Sequence, residues 1–179
     1  MGASTRFNAT ITPNTNDYDY IVQDDEVYIT GCYTVGEELV IPSEIDGLPV
    51  KGILSLAPAN GYITSLTIPD SVTYIAYDSL CDWHSPIEKV HLGAGITQID
   101  WQHFNNITCL REITVASGNS HYAALDGVLY NKTLDTLVYY PLAKGDTYVV
   151  PNSVVDITAL EWYAQDLNLE FASGNSIYV

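Results

Sequence analysis

The chain is poor in cations. It carries six Lys and Arg against 22 Asp and Glu, a formal net charge of −16 over 179 residues. Nucleic-acid binding draws its affinity from cations that neutralise phosphates, so no nucleic acid is expected as a partner. Anionic membrane surfaces would repel the chain for the same reason. No apolar run approaches the roughly 20 residues of a spanning helix, which argues against membrane insertion. Cysteine is also scarce. Cys32, Cys81 and Cys109 form an odd set with no CxxC pair, which does not read as a disulfide framework, and free, mostly buried thiols are expected.

Catalytic signatures are missing as well. There is no HExxH, no Gly-rich phosphate loop, no paired-carboxylate signature and no nucleophile elbow. His84, His91, His103 and His121 are scattered along the chain. Without a nucleophile, a base and an orienting group in one neighbourhood, the chain is not expected to be an enzyme or to hold a cofactor. The acidic stretch Asp17, Asp19, Asp24, Asp25 and Glu26 puts Ile21 and Val22 where a calcium loop needs an oxygen ligand and a glycine. It reads as a solvated edge, not a metal site.

What the chain has is apolar content, 47% of residues, enough to build a sizeable core without staples. That content is periodic. The triplets Leu39-Val40-Ile41, Leu66-Thr67-Ile68, Val90-His91-Leu92, Ile113-Thr114-Val115, Tyr148-Val149-Val150 and Leu169-Glu170-Phe171 end 27, 24, 23, 35 and 21 residues apart. The period is therefore about 23, with an insertion of roughly a dozen residues before the fifth copy, which is the scale of a repeat solenoid. A second signature follows: Val72, Ile75 and Leu80, then Ile96, Ile99 and Phe104, then Val154, Ile157 and Trp162. Pro42, Pro69 and Pro151 close the strands before them, since proline lacks the amide donor.

Strand alternation turns the outer two residues of each triplet inward and the middle one outward. Stacked coils then present a parallel β-sheet with one face in the core and the other open and concave, backed by short turns or 3-10 segments on the convex side. The open face is the candidate binding surface, with Ser65, Thr67, Lys89, His91, Glu112 and Thr114 as its central residues and Val40, Thr147, Val149 and Glu170 further along. A solvated sheet face without a ligand is the plain alternative. Trp83 and Trp101 lie in loop and turn positions where they could stack on a sugar; Trp162 takes an inward slot. Tyrosine is abundant at 14 residues. Tyr18, Tyr20, Tyr28, Tyr33, Tyr139 and Tyr140 either serve an interface or stiffen strands and cover coil edges.

Residues 1–16 read as a vector-derived start followed by a polar linker, and 17–179 as the solenoid. Tyr28 to Tyr33 alternates like an N-terminal edge strand. The insert at 126–141 reads as a β-hairpin standing off one rim. Phe171-Ala172-Ser173-Gly174-Asn175-Ser176 repeats Val115-Ala116-Ser117-Gly118-Asn119-Ser120. No cap follows, so the solenoid is expected to continue in a longer parent protein.

Ile68-Pro69-Asp70-Ser71-Val72-Thr73-Tyr74-Ile75 and Val150-Pro151-Asn152-Ser153-Val154-Val155-Asp156-Ile157 resemble the coil motif of the BspA-like leucine-rich-repeat proteins. Leu39 to Val50 resembles that family's first coil, and Asp126 to Asn131 its hairpin insert. The pattern runs from about residue 20 to the end, departing at Pro58 and Leu80, where an aromatic is usual. The resemblance implies a right-handed leucine-rich-repeat solenoid, secreted or on the cell surface of a bacterium, in which members adhere to extracellular proteins or other cells. A protein or cell-surface ligand is the partner it suggests. A polysaccharide, bound by a module of a larger secreted system, and a structural spacer role are the alternatives.

Overall fold

The computed structural model describes residues 17–34, 36–57, 62–80, 86–104, 107–145, 147–157 and 168–171. The segment 1–16, together with Pro58, Trp83, His84 and Trp162, lies outside them. In chain order, β1 (Tyr18–Gln23) and β2 (Glu26–Cys32) form an entry hairpin. The coils follow, with β3 (Glu38–Val40), β4 (Glu44–Ile45), β5 (Leu48–Ile53), β6 (Ser65–Thr67), β7 (Tyr74–Ile75), β8 (Lys89–Leu92) and β9 (Glu112–Val115). After them come β10 (Tyr122–Leu125), β11 (Val128–Asn131), β12 (Leu137–Tyr139), β13 (Thr147–Val150) and β14 (Asn168–Phe171).

The coil period places β3, β6, β8 and β9 side by side as one parallel ladder. The register is regular: Leu39, Leu66, Val90 and Ile113 are successive neighbours, as are Val40, Thr67, His91 and Thr114. Alternation works as expected. Leu39, Ile41, Leu66, Ile68, Val90, Leu92 and Ile113 are buried, and the second signature, Val72, Ile75, Leu80, Ile96, Ile99 and Phe104, is buried opposite them in the same cluster. At roughly 1.5–3 kcal/mol for each buried large aliphatic, this stack dominates stability. Coils approach closely where the chain turns after β8. A Cβ on Gly95 would lie 2.3 Å from the Asp70 carbonyl oxygen and 2.5 Å from that of Val72, and one on Gly93 would meet Pro69 at 2.4 Å. Buried Asn119 bridges coils with its amide, donating to the carbonyls of Gly93 (3.0 Å) and Ile96 (2.9 Å). Its Oδ1 accepts from the amides of His121 and Tyr122, both at 2.8 Å. Its polar side chain is thus fully bonded, which burial requires.

The return side is richer in strand than expected. Turns and 3-10 segments alone were anticipated there, but β2, β5 and β7 make a second parallel ladder, to which β4 adds an antiparallel edge. This ladder stops at a 3-10 turn, Trp101–His103, whose first amides are capped by Asp100. The buried His103 ring supplies the stop: its Nε2 donates to the Ile75 carbonyl at 3.1 Å, where a further strand would have bonded. The entry strand is longer than Tyr28 to Tyr33 suggests, and Tyr28 lays its ring across Gly52.

The hairpin expected at 126–141 is present as β11 and β12, and β10 pairs in front of it to make a three-stranded meander, β10-β11-β12. Asp126 and Gly127, both at positive φ (50° and 77°), form the tight two-residue turn between β10 and β11 that Asp-Gly favours. The meander does not stand off a rim. Leu129 and Tyr139 pack into the main core, while Val128, Tyr130, Leu137 and Tyr140 form a second cluster with Val150, Val154 and Ile157. A segment apolar at successive positions must be covered on both faces, and this one is.

The tyrosines divide. Tyr18, Tyr139 and Tyr140 are buried, whereas Tyr20 and Tyr33 donate from the surface to Asp46 (2.5 Å) and Asp19 (2.6 Å). The thiols divide too: Cys32 is buried, Cys109 is exposed against expectation, and Cys81 lies outside the described residues.

Candidate binding face

In each strand of the ladder the buried residue, Leu39, Leu66, Val90 or Ile113, points into the core, and the residues on either side of it point outward. Along the ladder this gives two rows, Glu38-Ser65-Lys89-Glu112 and Val40-Thr67-His91-Thr114. All six central residues singled out from the sequence fall in these rows. Lys89 Nζ lies 3.5 Å from Glu112 Oε2, and His91 Nδ1 is 2.9 Å from Thr114 Oγ1. Both contacts are rungs between β8 and β9, fixed by the one-to-one register of a parallel pair. The face is therefore half-exposed, polar and mixed in sign, with Val40 its one exposed apolar member.

Apart from Val40, the remaining candidates do not join this surface continuously. The ladder ends at β9, while β13 and β14 pair with each other in a separate two-stranded sheet that carries Thr147, Val149 and Glu170. Between them stands the meander, tied to the edge of β9 by the Ile113 amide, which donates to the Gly127 carbonyl at 2.9 Å. Trp101 opens the 3-10 turn on the return side, half-buried against the main core. Among the described residues no group of three or more His, Cys, Asp or Glu is arranged to hold a metal ion. No described helix is long and apolar enough to cross a membrane.

Sequence reading missed the residues around the end of the ladder. Arg111 donates from Nη1 to the Ala143 carbonyl at 2.8 Å, and Ala143 returns a bond to the Leu110 carbonyl at 3.0 Å. These link the fourth coil to the 3-10 turn Leu142–Lys144 that follows the meander. The basic residue just before a strand was the available signal.

The ladder, the stacked coils and their polar face define a leucine-rich-repeat solenoid, built mostly of strand with almost no helix among the described residues. No protein-family model matches the chain, and no curated protein matches it in sequence. Among solved structures it is similar to a leucine-rich-repeat protein of T. pallidum, at 23% identity and a TM-score of 0.53, over 82% of this chain and 63% of that one. It is also similar to a leucine-rich-repeat protein from Bacteroides ovatus, at 15% identity and a TM-score of 0.50, over 93% of this chain and 41% of that one. The chain thus spans less than two thirds of either. Its structural neighbours are bacterial leucine-rich-repeat proteins, consistent with the BspA-like pattern of its coils.

Proposed function

We propose that the chain is a non-catalytic extracellular binding module that recognises a protein partner through the outer face of the four-stranded ladder. The observation that carries this reading is the pair of outward rows in strict register across four strands. Side chains on stacked strands are held by the core beneath them, so they meet a partner with little ordering cost. Small hydroxyls beside single charges, here Ser65, Thr67 and Thr114 with Lys89, His91 and Glu112, suit a shallow contact with another protein surface better than a deep small-molecule pocket. An acidic, lysine-poor surface and the fold shared with bacterial leucine-rich-repeat proteins support placement outside the cell. The carbohydrate alternative would rest on Trp83, which lies outside the described residues, and on Trp101, whose half-buried ring leaves limited area for stacking.

Binding to immobilised extracellular-matrix proteins and, in parallel, to plant and host polysaccharides tests the reading. Saturable binding to a protein is expected. Thr67→Arg, which puts a long side chain at the centre of the face, should weaken it about tenfold or more, as the loss of a central contact does. Gln98→Arg, on an exposed turn of the return limb, should not. Equal affinities for the two variants would remove the ladder face from consideration.

A further inference from the structure

The edge of β9 does not face the next coil. It faces the meander, and the two leave between them a cleft of about 790 Å³. One wall is β9 itself, Glu112 to Val115; the other is Ala124, Asp126 and Gly127 at the first turn of the meander. Lys89, Arg111 and Lys144 complete the lining. The whole chain has only six Lys and Arg, so half of them meet at one place. Against them stand two carboxylates, Glu112 and Asp126, which leaves the cleft one net positive charge in a molecule of net charge −16.

The three cations are held there by different means. Arg111 is anchored by the bond from Nη1 to the Ala143 carbonyl, which leaves other guanidinium donors for a ligand. Lys89 shares Glu112 at 3.5 Å. Lys144 sits over Gly127, where a Cβ would come within 3.3 Å of its Nζ. Among the described residues no carboxylate lies within 4 Å of that ammonium. Concentrating scarce cations in one cleft favours a negatively charged occupant. The lining contains no aromatic ring, so a sugar would find no stacking surface, while an extended peptide can seat a carboxylate among the three cations.

We infer that this cleft receives a carboxylate side chain from an acidic segment of the protein partner. The inference rests on the ladder face being the recognition surface, and supplies the chemistry recognised at its end. A fluorescein-labelled hexaglutamate peptide, titrated by anisotropy in about 50 mM NaCl so that screening is weak, is the direct probe. Saturable binding is expected, weakened about tenfold or more by Lys144→Glu and only slightly by Lys132→Glu, which makes the same charge change outside the cleft. Glu112→Gln and Asp126→Asn should tighten binding several-fold, because each removes a competing carboxylate, and Asn keeps the Asp-Gly turn. Gains of this kind cannot come from unfolding. Equal losses from Lys144→Glu and Lys132→Glu would overturn the inference, leaving only a response to net charge. So would binding of oligogalacturonate without binding of hexaglutamate, or silence with both. Thr67→Arg in the panel experiment reports on the face alone, so failure of the cleft and failure of the face are read separately.

Discussion

The two buried clusters of this molecule are made differently. The coils from Leu39 to Ile113 stack aliphatic side chains in register, Leu on Leu, then Val and Ile, with Phe104 and Tyr139 as the aromatic pair at the far end, 4.8 Å between ring centres. The second cluster, around the meander and β13, is built on tyrosine: Tyr130 and Tyr140 are fully buried, with Tyr148 packed beside them. The Tyr130 and Tyr148 hydroxyls lie 2.8 Å apart. An aliphatic stack depends on spacing between coils and has no polar atom to satisfy. A tyrosine cluster depends on keeping protons on its phenols.

The largest effect should therefore come from forcing the coils of the first region apart. Ile99 is buried in the second signature. Replacing it with Asp would place a carboxylate in an apolar stack, at a cost of about 4–5 kcal/mol or more, a large part of the whole stability of an ordinary domain. Gly95→Ala acts by geometry alone, pressing a methyl against two backbone carbonyl oxygens that lie 2.3 and 2.5 Å from its ideal position. Both variants should lose the cooperative thermal transition seen by circular dichroism. A normal melt for Gly95→Ala would mean that neighbouring coils can separate without loss, which contradicts a continuous stack.

The second region should instead respond to pH. Burial first, then the hydrogen bond that its hydroxyl donates to Tyr148, hold the Tyr130 phenol far above its ordinary value near 10. Burial also raises Tyr148, and likewise Tyr122 and Tyr18 in the first region. In each case the folded state keeps a proton that the unfolded chain releases above about pH 10. Stability is then fully present below that pH and falls as pH rises above it. Melting temperature should be level from pH 8 to about 9.5 and drop steeply beyond, with tyrosinate absorbance rising in step with unfolding. Tyr130→Phe should lower stability by about 1 kcal/mol at neutral pH through the lost hydrogen bond, and make the alkaline slope shallower. A slope unchanged in Tyr130→Phe would locate the sensitivity in Tyr18 and Tyr122, and so in the first region.

The contrast also explains what could be read from the sequence. Leu39, Leu66, Val90 and Ile113 announce themselves because coil period and strand alternation agree, and the outward rows with all six central candidates follow from the same register. The meander was harder. Asp126-Gly127 is a strong hairpin signal, but spacing alone puts it at the start of the insert, whereas it is the turn between β10 and β11 in a longer one that begins at Tyr122. Tyrosine compounds the difficulty, since an amphipathic ring fits a rim and a core equally well by composition. Strands as short as Tyr74–Ile75 carry no periodic signal, and nothing local shows that His103 will cap the Ile75 carbonyl. The cleft lay beyond sequence reading because Lys89, Arg111 and Lys144 come together only once the meander is placed against β9.

The smallest effect should come from the Lys89–Glu112 rung, and it separates the exposed polar contacts of the first region from the buried ones of the second. Both side chains are substantially exposed, 63% and 44%, with 3.5 Å between the charges. Water screens such a pair, and ordering two long side chains offsets much of the attraction, so exposed pairs contribute about 0–1 kcal/mol. The Tyr130–Tyr148 contact is partly shielded, and breaking it takes a partner from a half-buried hydroxyl. Lys89→Ala should therefore shift the melting temperature by no more than about 2–3 °C, and the shift should shrink further in about 0.5 M NaCl. If Lys89→Ala costs as much as Tyr130→Phe, the rung is a structural clamp on the ladder, and its two charges are not available for a partner.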